Sequence, residues 1–252
     1  NQMLLLLASG RVPLSGKGLM ERRLEVRKSE FGAQYKGTAH EAKVRAVYNA
    51  IWTHYVDIDD GVLYHPDGNI KVVSDAGFLR ALTPQSRLQD GAVVVDDNLW
   101  SSLTNAPEFR REEIEKDRFN TVWLALARND KVLLDEYRQA VAAELKARHN
   151  YEGNNMGVWL ARAQSVTTSR LWCVNRSDSS SNADNSLVSN LGRLVGVLAP
   201  EAQGVLVSAK GATQASVPSL EQLIAYSRPF IPEKERAKWE EENPPITRIS
   251  VG

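Results

Sequence analysis

Apolar residues recur every three or four positions over Val44, Val47, Tyr48, Ile51, Trp52 and Tyr55, the stripe that a helix turns toward a core. Thr38-Ala39-His40-Glu41 stands ahead of the stripe in the S/T-x-x-E form of a capping box, whose side chains satisfy orphan backbone N–H groups of a first turn, so a helix is predicted from Thr38. The pattern then changes. Val62-Leu63-Tyr64 and Ile70-Lys71-Val72-Val73 flank His65-Pro66-Asp67-Gly68-Asn69, where proline presets φ and glycine supplies a positive one, and this predicts a hairpin over residues 61–73. A short helix is expected over Asp75–Leu82. Another, running through Leu103 and capped by Asp96 or Asp97, is expected after the Val93–Val95 run. Pro107 is read as opening a helix that carries Phe119, Val122, Trp123 and Leu126. A following helix carries Leu134, Tyr137, Val141 and Leu145, with Asn129-Asp130 as the joint of an antiparallel helical pair. Asn150–Asn155 breaks the pattern, and a helix is expected to resume over Met156–Val174.

Beyond it, Ser177–Asn185 (SDSSSNADN) reads as a loop of low complexity. Leu187, Leu191, Leu194 and Leu198 form a further helical stripe ended by Pro200, and short helices are expected over Ser219–Ser227 and Pro232–Glu242. At the start of the chain Leu4–Leu7 fits a buried strand. Gly10, Pro13, Gly16 and Gly18 interrupt any long helix there, and Arg22–Phe31 suits strand or helix. These elements predict a mainly α fold: a helical core with one β-hairpin (about 61–73) and extended N- and C-terminal arms. The expected division is an arm over 1–37, a core over 38–242 and a tail over 243–252. The core has room for two lobes, with a break near 150–155 or 177–185.

Composition narrows the class. At 252 residues, 42% hydrophobic and 25% charged, the chain is an ordinary globular one. Its 31 basic residues balance 31 acidic ones, so long-range attraction to a polyanion or an anionic membrane is not its organising principle, although a balanced total hides local patches. Near-zero charge also removes a repulsion that keeps copies apart. Cys173 is the one cysteine. No disulfide can form within the chain and no cysteine-based zinc site exists, which fits a reducing compartment. The apolar run Met3–Ala8 is too short to span a bilayer, and no basic residues precede it as in a signal peptide. The expected location is cytoplasmic or within a virion, with no membrane partner.

Candidate chemistry concentrates in His54–Asp67 (HYVDIDDGVLYHPD), which holds four aspartates and two of the four histidines. Carboxylates two apart on a strand project to one side, so Asp57 and Asp59, with Asp96, form the candidate catalytic and Mg²⁺ or Mn²⁺ set of a hydrolase or phosphotransferase. Asp57-Ile58-Asp59-Asp60-Gly61-Val62-Leu63 resembles the D-x-D-G-[T/V]-L opening of haloacid-dehalogenase-type phosphatases over those seven residues. It departs from that opening in the extra Asp60, in a helix-patterned stretch where the family has a buried strand, and in the early Asp96–Asp97 pair. EF-hand ligand spacing is absent. Gly10–Gly18 (GRVPLSGKG) misses a phosphate loop at Ser15 and Gly18, where a glycine and a hydroxyl are needed.

For nucleic acid the candidate contacts are Arg22, Arg23, Arg27 and Lys28 on the arm and Arg148, Arg162, Arg170 and Arg176, which lie in sequence near Tyr151, Trp159 and Trp172. The tryptophans themselves read as core. The leading expectation is a self-assembling structural protein, of coat or nucleocapsid type. It would form a homo-oligomer through its terminal arms and the 54–67 junction and hold single-stranded nucleic acid through arginines. The general architecture is shared with helical plant-virus coat proteins, whose sequence signatures are not found here. The alternatives are the Asp57/Asp59 metal enzyme and a non-catalytic helical interaction module. No cofactor is expected.

Overall fold

The computed structural model describes residues 11–31, 35–74, 86–116, 120–152, 156–175, 181–183, 193–194 and 196–198. The chain divides into two compact units, residues 1–12 with 196–252 and residues 13–195. In the smaller unit the described residues belong to two strands, β1 (Arg11–Pro13) and a later strand over Gly196–Leu198, which pair as a two-stranded sheet.

The larger unit is built on a sheet, which overturns the mainly α expectation. Among its described residues nine strands join in one sheet. They are β2 (Val56–Tyr64), β3 (Asn69–Val73), β4 (Leu88–Gln89), β5 (Ala92–Val94), β6 (Glu108–Arg110), β7 (Val158–Trp159), β8 (Thr168–Val174), β9 (Ser181–Asn182) and β10 (Arg193–Leu194), with Gly196–Leu198 numbered β11. The main path runs β4-β5-β8-β2-β3-β6, while β10 joins β2, and β7 reaches β8 through β9. Pairing is antiparallel except for β10 on β2 and β7 on β9.

The central strands explain why alternation did not reveal them. Eight of the nine residues of β2 are buried, and six of the seven of β8, so both faces are covered and the period of two disappears. The helix expected over Met156–Val174 is therefore β7, an irregular stretch and β8. At its hydroxyl-bearing start, Ser169 Oγ donates across the sheet to Val62 O at 3.0 Å. Other expectations change as well. Pro107 precedes β6 rather than a helix. The polar stretch 177–185 contains β9, and the leucine stripe 187–198 contains β10 and β11. The expected helices over 75–82, 219–227 and 232–242, and the expected strand over 4–7, lie outside the described residues.

Local signals placed other elements. Asp67 Oδ1 accepts from Asn69 N–H at 2.8 Å and Gly68 has φ +89° in the turn between β2 and β3, which pair from Gly61↔Val73 to Tyr64↔Ile70. Asp90 and Gly91, with φ 50° and 73°, join β4 to β5. This is the two-residue Asp-Gly hairpin whose handed turn matches strand twist.

Six helices are described in this unit: α1 (Gly16–Phe31), α2 (Glu41–Trp52), α3 (Asp97–Ser102), α4 (Arg111–Lys116), α5 (Asn120–Leu126) and α6 (Lys131–His149). The expected extended arm thus contains a sixteen-residue helix. It packs on α2, α6 and β2 and buries Leu19, Met20, Arg23, Leu24 and Val26. α2 begins at Glu41, the last residue of the capping motif and three after Thr38, because Glu41 reaches back to the N–H of Gly37 at 2.7 Å and His40 N–H turns to Thr38 Oγ1. α6 has Asp130 as N-cap, accepting from Leu133 N–H at 3.1 Å, and Asn150 as a left-handed C-cap, the conformation asparagine tolerates best after glycine. Tyr48, Trp52, Tyr137 and Trp123 form a continuous aromatic file between these helices, with successive ring centroids 6.3, 6.2 and 6.0 Å apart.

Candidate functional site

The acidic strip is distributed rather than gathered. Asp57 is half-buried on β2 opposite Cys173 of β8, and Asp59 is buried with its backbone N–H on Leu14 O at 2.9 Å. The register of β2 against β8 shifts between Asp57 and Gly61, a bulge that breaks the simple same-side relation of alternate residues. Asp60 is fully buried. Its Oδ2 accepts from Gly16 N–H at 2.6 Å, and its Oδ1 pairs with Arg128 Nη2 at 2.5 Å. Asp96 caps α3 through Asn98 N–H at 2.7 Å, and Asp97 accepts from Thr167 Oγ1. Among the described residues no group of three or more His, Cys, Asp or Glu side chains is arranged to hold a metal ion.

The candidate arginines also separate. Arg23 is fully buried between α1, α2 and α6. Arg22 is paired to Glu25 on the same helix at 2.6 Å. Arg148 bonds Glu144 and Tyr48, with its guanidinium 4.8 Å from the tyrosine ring centroid. Burial first, then the bond to Glu144, push the Tyr48 phenol above its ordinary range. Arg170 is buried and donates to Asp90 O. Arg162 is exposed, and Arg176 lies outside the described residues.

Two carboxylates, the exposed Asp67 and the half-buried Asp130, carry a pH dependence. The Asn69 N–H, with His65 adding, holds Asp67 below the usual carboxylate range, and the Leu133 N–H, followed by Lys17 at 3.0 Å, does the same for Asp130. A carboxyl whose folded pKa is depressed contributes stability that is complete above its unfolded value, about 4, and disappears as pH falls through the folded value. Urea midpoints are therefore expected to fall on acidification below about pH 4, and less steeply in Asp130→Asn. Identical slopes in the two proteins refute this assignment.

What the structure does gather is a fixed surface around Trp159. β7 lies parallel to β9, with Ser181 N–H on Gly157 O and Ala183 N–H on Trp159 O, both at 2.8 Å. From below, Tyr64 Oη accepts Ala161 N–H at 3.1 Å and donates to Ala183 O at 2.9 Å. Arg111 Nη2 donates to Ala161 O and Trp123 Nε1 to Met156 O, both at 2.7 Å. Four side-chain bonds and the strand pairing thus pin an otherwise irregular segment, yet Trp159 remains 53% exposed. Asn182 pairs in register with Trp159, and Cys173 and Asp57 continue the row across β8 and β2. Residues paired in this way share one face of the sheet. The sequence reading placed Trp159 in a core because its neighbours are apolar; its exposure depends on the β7–β9 pairing, for which no local pattern exists.

Tyr64→Phe is expected to cost about 1–3 kcal/mol, because one deletion leaves a buried N–H and a buried C=O without their partner. Hydrogen exchange at the Ala161 amide should accelerate with it. Unchanged protection there removes the pinning role.

No family model matches this chain, and no curated protein matches it. A solved structure described as "Accommodation of massive sequence variation in Nanoarchaeota by the C-type lectin fold" aligns with it at 12% identity, covering 74% of this chain and 91% of the other, with a TM-score of 0.35. A likeness of that size fixes neither a fold family nor a function. Among the described residues no helix is long and apolar enough to cross a membrane.

Proposed function

We propose that the chain is a binding module whose contact surface is the pinned segment around Trp159. The carrying observation is the contrast between a backbone held from several sides and an indole left 53% exposed. A large side chain that points outward from a loosely held loop is common and needs no explanation. One presented on a braced backbone is preorganised, so less ordering entropy opposes binding. The acidic strip supports the same reading from the other direction: Asp60 is engaged with α1 and Arg128, and Asp96 with α3. The Trp159→Ala variant is expected to keep the wild-type circular dichroism and urea midpoint while losing binding across a panel of neutral glycans, poly(U) and cell-extract proteins. Retention by the variant of everything the wild type binds ends the proposal.

Self-assembly is the second reading. It is favoured by Leu88, 44% exposed on the two-residue strand β4 at one end of the sheet, since an edge strand offers unpaired backbone groups to another copy. Light scattering decides it: a monomer at millimolar concentration removes assembly, and regular particles establish it.

A further inference from the structure

We infer that Asp90 is a self-modification site, converted to isoaspartate by attack of the Gly91 nitrogen on its side chain, with Arg170 promoting the step and holding the product. The inference is independent of what the protein binds. Asp-Gly occurs three times in the chain, at Asp60-Gly61, Asp67-Gly68 and Asp90-Gly91. A glycine has no Cβ to shield its nitrogen from the carboxyl of the residue before it. The fold treats the three aspartates differently. Asp60 is fully buried, with one oxygen on Gly16 N–H and the other on Arg128. Asp67 is exposed, but its Oδ1 accepts from Asn69 N–H at 2.8 Å and its Oδ2 from Asn69 Nδ2 at 3.1 Å. The first of these bonds holds its carboxyl below the usual range, and an ionised carboxylate is a poor electrophile. Asp90 is exposed. Among the described residues its carboxylate makes no hydrogen bond or ion pair, so Cγ is free to rotate about χ1 toward the Gly91 nitrogen.

The turn supplies the rest. Its ladder closes between Gln89 and Ala92, which leaves the Gly91 N–H outside the strand pairing. Arg170, buried on β8, donates from Nη2 to Asp90 O. That oxygen and the Gly91 nitrogen belong to one peptide group, so the guanidinium stabilises the negative charge that builds as the N–H is lost. The nitrogen attacks Cγ: the N–Cγ bond forms, a Cγ–O bond breaks, and the amide hydrogen leaves with the carboxyl hydroxyl as water. Water then opens the five-membered succinimide. Addition at Cγ restores aspartate, while addition at the main-chain carbonyl carbon gives isoaspartate, with the chain running through Cβ and Cγ. No oxidant, reductant or further reagent is consumed. In the isoaspartate the former main-chain carbonyl is a carboxylate, within reach of the guanidinium that already held it. A neutral acceptor has become a charged one, and the bond to Arg170 is strengthened. Against this, one extra main-chain carbon enters a two-residue turn whose length fixes the register of β4 on β5.

The test incubates the full chain at mildly acidic pH, folded and in guanidinium chloride, and compares the three Asp-Gly peptides by electron-transfer mass spectrometry, which separates isoaspartate from aspartate at equal mass. In the folded protein, conversion at Asp90 is expected to exceed that at Asp60 and Asp67 by roughly tenfold or more. In denaturant the three rates are expected to converge. Arg170→Met is expected to slow conversion at Asp90 roughly tenfold, the rate equivalent of one hydrogen bond to a charged group. Circular dichroism shows whether that variant folds; if it does not, the ratio of Asp90 to Asp67 in folded and unfolded wild type decides alone. Asp90→Glu, which needs a six-membered ring, should show no conversion at that position. Conversion at Asp90 no faster than at Asp67 in the folded protein overturns the inference, and so does a rate unchanged in folded Arg170→Met.

Discussion

Asp60→Ala is expected to lower the free energy of unfolding by about 3–5 kcal/mol, the range for removing one member of a buried ion pair. The size follows from what the carboxylate holds. Asp60 has no exposed surface, and its two oxygens face different elements, the first N–H of α1 through Gly16 and the Arg128 guanidinium beyond α5. It caps α1 from 44 residues away and sits at the positive end of that helix's dipole, where a negative charge is favoured. Arg128, with 30% of its side chain exposed, regains some hydration when its partner is lost, so the greater part of the penalty comes from the emptied site and the orphaned N–H. Asp60→Asn keeps an acceptor for Gly16 and should recover roughly half of the loss. Gly16→Ala probes the same junction by crowding: an added Cβ meets Asp60 Oδ2 at 2.9 Å and the Leu126 Cβ at 3.0 Å, and Leu126 is itself buried. Urea denaturation followed by circular dichroism measures all three. A loss under about 1 kcal/mol in Asp60→Ala, the scale of a surface pair, would show that the junction carries little.

That junction also marks how far residues alone could be read. Short-range chemistry was legible: Pro66 to Asn69 as a turn, Asp96 as a cap, and the stripe Leu134, Tyr137, Val141 and Leu145 as a helix, which α6 forms. In each case the deciding partner lies within a few residues. The aspartates of β2 were not legible, because a cluster of acids is disfavoured in a strand unless distant groups neutralise it. Arg128 lies 68 residues on, and nothing near Asp60 announces it. β8 failed for a related reason. Thr168-Ser169-Arg170 looks like an exposed polar start, yet all three are buried, with Ser169 bonded to Val62 O and Arg170 to Asp90 O. Where polar atoms are satisfied across a sheet, hydropathy along the chain no longer reports which side is inside. Trp159 shows the converse, an apolar neighbourhood in sequence and an exposed ring in space. Binary pattern therefore read helices better than strands here, and overestimated their share of the fold.

Arg23→Ala is expected to destabilise by about 4 kcal/mol, combining a large-to-small core change with unmet acceptors. The sequence offers Arg23 as a cation for phosphate; the structure makes it the tie between four elements. Its side chain is wholly buried. From α1 its Nε donates to Ile51 O on α2 at 2.8 Å, Nη1 to the Tyr137 hydroxyl on α6 at 2.6 Å, and Nη2 to Asn175 O after β8 at 3.4 Å. The guanidinium carbon lies 5.1 Å from the Trp52 ring centroid, and Trp52 Nε1 returns a bond to Arg23 O at 3.1 Å. A planar group with five donors can serve three acceptors in different directions and still stack on an indole. A lysine ammonium at the end of a flexible stem cannot reproduce that fork, so Arg23→Lys should still lose about 2 kcal/mol although the charge is kept. Arg23→Met separates packing from polarity: it fills similar volume but leaves the Ile51 and Asn175 carbonyls and the Tyr137 hydroxyl unmatched. Its loss should fall between those of lysine and alanine. The order lysine, methionine, alanine in urea midpoints is the check. If methionine equals or exceeds the wild type, Arg23 fills space and its hydrogen bonds do not stabilise the fold, as happens when a buried charge is replaced by a well-packed apolar side chain.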